Sequence, residues 1–114
     1  MISVCIATHN GEKYIKKQLE SILSQLSFSD EIVISDDGST DQTIKLIQSF
    51  EDKRIKVLTY KQHFDYSKFY LSSYYYATAN FYNALKYAQG EIIFLADQDL
   101  SLIHISEPTR PRLI

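Results

Sequence analysis

The sequence predicts an α/β fold, a mainly parallel sheet with flanking helices, on three observations. Short runs rich in β-branched and apolar residues alternate with segments whose apolar residues recur at helical spacing. The resulting order, β-α-β-α-β-loop-α-β, calls for right-handed crossovers between parallel strands. Polar clusters follow three of the four strands, at the carboxyl edge where open α/β sheets bind ligands.

Residues 2–7 form the first strand, stopped by Thr8-His9-Asn10-Gly11. Over residues 12–26, Ile15, Leu19, Ile22, Leu23 and Leu26 make one apolar stripe, and Glu12 pairs with Lys16 at i, i+4, so an amphipathic helix is expected. Residues 31–35 give a second strand, broken by Asp36-Asp37-Gly38-Ser39-Thr40. Ser39 with Gln42 fits a capping box, and Ile44, Ile47 and Phe50 continue a second helix to about residue 50. Residues 55–60 read as the third strand. Residues 61–78 have neither alternation nor a helical stripe and are assigned a loop or insertion. Phe81, Ala84, Leu85 and Ala88 restore a helix over residues 80–89, with Gly90 as its left-handed terminator. Residues 91–96 are the fourth strand, ending in Asp97-Gln98-Asp99. In the Tyr-rich stretch from Tyr60 to Tyr82, packing over the sheet edge is favoured over stacking on a ligand.

The chain has 114 residues, 45% of them apolar, enough for one core and hardly two. With 12 basic and 14 acidic residues the net charge is −2, which speaks against a nucleic-acid partner. The apolar runs are far shorter than the roughly 20 residues of a membrane-spanning helix. The amino terminus reads as a strand and not as a secretory signal. The single cysteine, Cys5, lies in a strand pattern, so a reducing, cytoplasmic setting is expected, with any membrane association left to a full-length form.

Asp97 and Asp99 stand at i and i+2 of an extended chain and so share one side, where paired hard oxygens suit Mg²⁺ or Mn²⁺ completed by water and phosphate. Asp36 and Asp37 stand beyond the second strand, where an acidic side chain meets ribose or base in nucleotide-binding α/β folds. The same residues also suit a turn and a helix cap. A lone Gly11 after the first strand excludes the dinucleotide fingerprint and the Walker loop. A receiver domain fails because the acids follow the second and fourth strands. His9, His63 and His104 show no metal-ligand spacing.

The stretches 3–15, 30–41, 80–85 and 90–99, collinear over residues 2–99, resemble the nucleotide-sugar-dependent glycosyltransferases of family 2. The Asp-Gln-Asp ending resembles the branch, often described as rhamnosyltransferase-like, that builds bacterial cell-surface polysaccharide. The resemblance implies a Rossmann-like sheet, the amino-terminal nucleotide-binding half of a GT-A fold. It implies that Thr8 and Asn10 line the donor nucleotide, that Asp36 contacts its base or ribose with Asp37 and Ser39 shaping the loop, and that Asn80 approaches it from the third helix. Asp97 and Asp99 match the metal motif, Asp99 as the direct ligand and Asp97 nearer the ribose, with Mn²⁺ or Mg²⁺ as cofactor. The implied reaction is an inverting transfer from a UDP or dTDP type sugar donor to a glycan or lipid-linked acceptor.

The match breaks at Leu100, where the family has a further Asp, and no carboxylate of this chain is assigned as catalytic base. Residues 1–99 are therefore expected to form a partial donor-binding domain, inactive alone. Residues 100–114 hold both prolines and resemble a translated sequencing adapter, a non-native tail, against the other reading of a genuine irregular one. The alternative function is a non-catalytic α/β binding module whose acidic loops serve only as turns and caps.

Overall fold

The computed structural model describes residues 1–59 and 72–96, with side chains in the last helix from residue 78 onward. Its elements are β1 (Ile2–Thr8), α1 (Ile15–Leu23), β2 (Glu31–Asp36), α2 (Thr43–Gln48), β3 (Ile55–Thr59), α3 (Ser72–Tyr87) and β4 (Ile92–Ala96). Four parallel strands pair in the order β3-β2-β1-β4. The expected α/β architecture with a parallel sheet is what forms.

Alternation along the strands divides the core. Val4, Ile6, Ile32, Ile34, Phe94 and Ala96 face one side, against Ile15, Leu19 and Ile22 of α1 and Ile47 of α2. Cys5, Val33, Ile93 and Leu95 face the other, against Ala84 of α3 with Phe81, Leu85 and Ala88 around it. Each fully buried leucine or isoleucine on α1 stabilises the fold by about 1.5–3 kcal/mol. Helices α1 and α2 thus cover one face and α3 the other, as right-handed crossovers require when the chain winds from β1 out to β3 and then returns past β1 to β4. The reversal puts a topological switch point between β1 and β4.

Four expectations are corrected. Helix α1 is shorter than residues 12–26, because residues 11–14 form its entry turn and Gln25 and Leu26 bond three residues back, to the carbonyls of Ile22 and Leu23. Arg54 Nη1 then closes that end by donating to the carbonyls of Leu23 and Leu26, 3.3 and 3.1 Å away. The capping box does not form: α2 begins at Thr43 after Gln42, and Ser39 turns instead to Asp36 and Asn10. The assigned loop over residues 61–78 is wrong for residues 72–78, which are helical; residues 60–71 lie outside the described residues. Gly90 is not left-handed. The only glycine with a positive φ among the described residues is Gly38, at 59°. Gly90 is needed for space, since a Cβ there would lie 2.6 Å from Ser3 Oγ and 2.8 Å from Met1 O.

Of the Tyr-rich stretch, Tyr82 is 63% exposed, and the side chains of residues 60–77, on which the packing expectation falls, lie outside those described. Among the described residues no helix is long and apolar enough to cross a membrane.

Candidate functional site

Parallel pairing places the carboxyl ends of β1 and β2 side by side, with Thr8 in register with Asp36. Their side chains meet: Thr8 Oγ1 donates to Asp36 Oδ1 at 2.6 Å, both residues almost wholly buried. Ser39 Oγ donates to the same oxygen at 2.6 Å, and the Ser39 N–H donates to Asp36 Oδ2 at 2.9 Å. Asp36 therefore closes the turn that carries Gly38, as an aspartate with three donors can.

Pairing continues past the strands into the loops. The Asp37 N–H donates to Thr8 O at 2.9 Å, and His9 Nδ1 lies 2.6 Å from Asp37 O. A carbonyl only accepts, so that ring nitrogen carries the proton. Asn10 adopts φ 52°, a left-handed conformation that asparagine tolerates. Its N–H donates to Ser39 Oγ at 2.9 Å, and its Oδ1 accepts the Thr40 N–H at 2.8 Å. One turn on, the Gly11 N–H donates to Thr43 Oγ1 at 2.8 Å, the Glu12 N–H to Asp41 Oδ2 at 3.2 Å, and the Gln42 N–H to Glu12 Oε2 at 3.1 Å. Thr43 donates its hydroxyl and its N–H to Asp41 Oδ1. The β1–α1 and β2–α2 loops are thus bonded to each other just ahead of the two helices.

From the opposite face, α3 reaches the same edge. Asn80, 2% exposed, donates from Nδ2 to Thr8 O at 3.1 Å and accepts the Ser35 hydroxyl at 2.6 Å. Asn83 Nδ2 donates to Ser35 Oγ at 2.9 Å. Each buried polar group here has a partner, without which it would cost about 1–3 kcal/mol.

The structure brings Thr8, Asn10, Asp36, Asp37, Ser39 and Asn80 to one edge. Asp97 and Asp99 lie outside the described residues, as do His63, His104 and residues 100–114. Strand β4 runs toward that same edge, Ala96 being in register with Ile6. Among the described residues, no three His, Cys, Asp or Glu side chains are grouped to hold a metal ion.

Sequence reasoning assigned no role to Asp41, Thr43, Ser35 and Asn83, and paired Glu12 only with Lys16. An aspartate two residues before a threonine at the start of the α2 stripe is the available signal for a turn-capped helix end, but its partners on the other loop are 29–32 residues away. Burial pushes the Asp41 carboxyl upward, but the Thr43 hydroxyl and surrounding N–H groups outweigh it and hold the group below the usual carboxylate range. Burial, then the Glu31 charge, push the Cys5 thiol up to about 12, so it is no nucleophile.

A depression of 860 Å³ lies at the opposite, amino-terminal edge, between Met1, Phe28, Asp30 and Lys53. Its other charges are largely engaged in the ion pairs Arg54–Asp52 and Lys56–Glu31, at 2.9 and 2.7 Å. The carboxyl edge, where three elements deliver polar groups to one place, is the better candidate.

Comparison with known proteins identifies the family and the fold. Residues 3–104 match the model of the family described as glycosyl transferase family 2. The Escherichia coli protein WfgD, a UDP-Glc:alpha-D-GlcNAc-diphosphoundecaprenol beta-1,3-glucosyltransferase, is 33% identical over 100 residues, 87% of this chain and 35% of its own. The crystal structure of Staphylococcus aureus TarS 1–349 in complex with UDP-GlcNAc superposes with a TM-score of 0.66 at 29% identity, covering 86% of this chain and 26% of that one. The Pyrobaculum calidifontis mannosyltransferase PcManGT, in complex with GDP-Man and Mn²⁺, shares the fold, with a TM-score of 0.60 at 22% identity over 86% of this chain and 27% of that one. The chain spans about a third or less of the length of these relatives.

Proposed function

Since the chain belongs to glycosyl transferase family 2, we propose that residues 1–99 form the donor-binding part of an enzyme that transfers a sugar from a nucleoside diphosphate. The observation that carries this is the carboxyl-edge crevice, where Thr8, Asn10, Asp36, Asp37 and Ser39 from two strands and Asn80 from α3 converge beside the switch point. Asp36 and Asn80 act there by fixing the strand ends and loop that the nucleotide meets. UDP or dTDP is the donor type favoured, in keeping with the UDP-sugars named for WfgD and TarS. The acceptor class proposed is a glycan or lipid-linked glycan of cell-surface polysaccharide synthesis, made on the cytoplasmic side of the membrane.

Asp97 and Asp99 would hold a divalent cation, Mn²⁺ or Mg²⁺, which when bound supplies the charge that neutralises a departing diphosphate. The crevice itself supports that need. Helix amino ends often hold phosphate, but ahead of α1 and α2 the N–H groups of Gly11, Glu12 and Gln42 are already taken by the facing loop, and that of Thr43 by Asp41 of its own loop. No carboxylate among the described residues is placed as a base toward an acceptor, so we assign this chain donor binding and not the transfer step.

Titration calorimetry of the 114-residue chain with UDP, dTDP and GDP in MnCl₂ tests the reading. We expect UDP or dTDP to bind, and EDTA or Asp99→Ala to weaken that binding by at least about tenfold. If no nucleotide binds, or if neither metal removal nor the substitution matters, the acidic loops are only turns and caps of a non-catalytic module.

A further inference from the structure

We propose that Asp41 and Thr43 are positioning residues that lock the β1–α1 loop to the β2–α2 loop, making the two crevice loops one rigid rim. As a role in donor binding this rests on the function proposed above; as a mechanical coupling it does not.

The geometry is reciprocal. Asp41 accepts from its own loop, through the Thr43 N–H and hydroxyl, and from the other loop, through the Glu12 N–H. Thr43 is fully buried, and its hydroxyl has one proton; that proton goes to Asp41, so the oxygen faces the Gly11 N–H as an acceptor. Glu12 returns the connection by accepting the Gln42 N–H. Gly11 follows Asn10 directly, and Asn10 is the left-handed residue whose own amide meets Ser39 and Thr40. Releasing Asp41 or Thr43 therefore loosens the segment directly after His9 and Asn10 and removes its share of their support. A site held loosely by its supporting groups binds less well even when every contact residue is present.

Two readings on the full chain test this: amide hydrogen exchange at Gly11 and Glu12, and UDP affinity in MnCl₂. Asp41→Ala and Thr43→Val should speed exchange at both amides and weaken UDP by roughly tenfold, the usual cost of losing an outer-shell support. Thr43→Ser, which keeps the hydroxyl, should restore both. Arg54→Ala, which releases the far end of α1, should lower stability and leave both readings unchanged. If Asp41→Ala does not fold, Asp41→Asn, which keeps one acceptor oxygen, takes its place. Unchanged exchange in the Asp41 variant, or an equal effect of Arg54→Ala, overturns the lock. Faster exchange with unaltered UDP affinity overturns the positioning role. If the unaltered chain binds no nucleotide, the donor reading fails and exchange alone decides the lock.

Discussion

Single atoms decide several positions in this chain. Gly90 sits where the chain enters β4, its N–H donating to Ser3 Oγ at 2.7 Å while Glu91 N–H reaches Met1 O at 3.0 Å. The missing side chain lets this backbone lie against the start of β1. We predict that Gly90→Ala destabilises the fold by about 1–3 kcal/mol, because backbone atoms of Met1 and Ser3 bound the added carbon and cannot swing aside. Urea denaturation measures it, and a midpoint equal to that of the unaltered chain would refute the steric account. Sequence reasoning marked Gly90 as special and gave the wrong cause, since proximity to residues 87–89 positions away leaves no local trace.

At the scale of elements, α3 shows where periodicity stops being informative. The apolar stripe from Phe81 to Ala88 was legible because it packs on the sheet. The turns from Ser72 carry no such stripe in sequence, so their helicity was not. Asn80 and Asn83 are buried on the same helix by polar contacts that a hydrophobic pattern cannot register. Asn80→Ala should cost about 1–3 kcal/mol in urea denaturation, because Thr8 O and the Ser35 hydroxyl lose a buried partner. Stability within about 0.3 kcal/mol of the unaltered chain would show that the amide contributes no net stabilisation. The bonds between the two loops were missed for a related reason: Ser39 and Gln42 have the local spacing of a box, but Ser39 is claimed by Asp36 and Asn10.

For the molecule as a whole, four carboxylates tie the strand ends and loops together. Burial raises Asp30 and Glu31, yet donors overcome it: the Ser27 and Ile2 N–H groups for Asp30, and the Gln89 N–H, Lys56 and Ser3 for Glu31. Asp41 is held low by Thr43 and Glu12 against the same burial penalty, and Asp52 by Arg54. A group whose folded value is depressed stabilises the fold above its unfolded value, about pH 4 for a carboxylate, and loses that contribution as pH falls through the folded value. Stability should therefore hold on going down to about pH 5 and fall steadily below about pH 4. Urea midpoints taken through this range test it, and equal midpoints across the acid limb would contradict the assignment.

The sequence by itself determined the alternation of elements and the family, because these rest on local periodicity and on short motifs read in order. It also singled out Thr8, Asn10, Asp36, Asp37, Ser39 and Asn80. The strand order β3-β2-β1-β4, the switch point beside β1 and the bonds between the two loops were decided only in three dimensions. Each of these joins residues some 23 or more positions apart, and such pairings depend on how the crossovers fold the chain back.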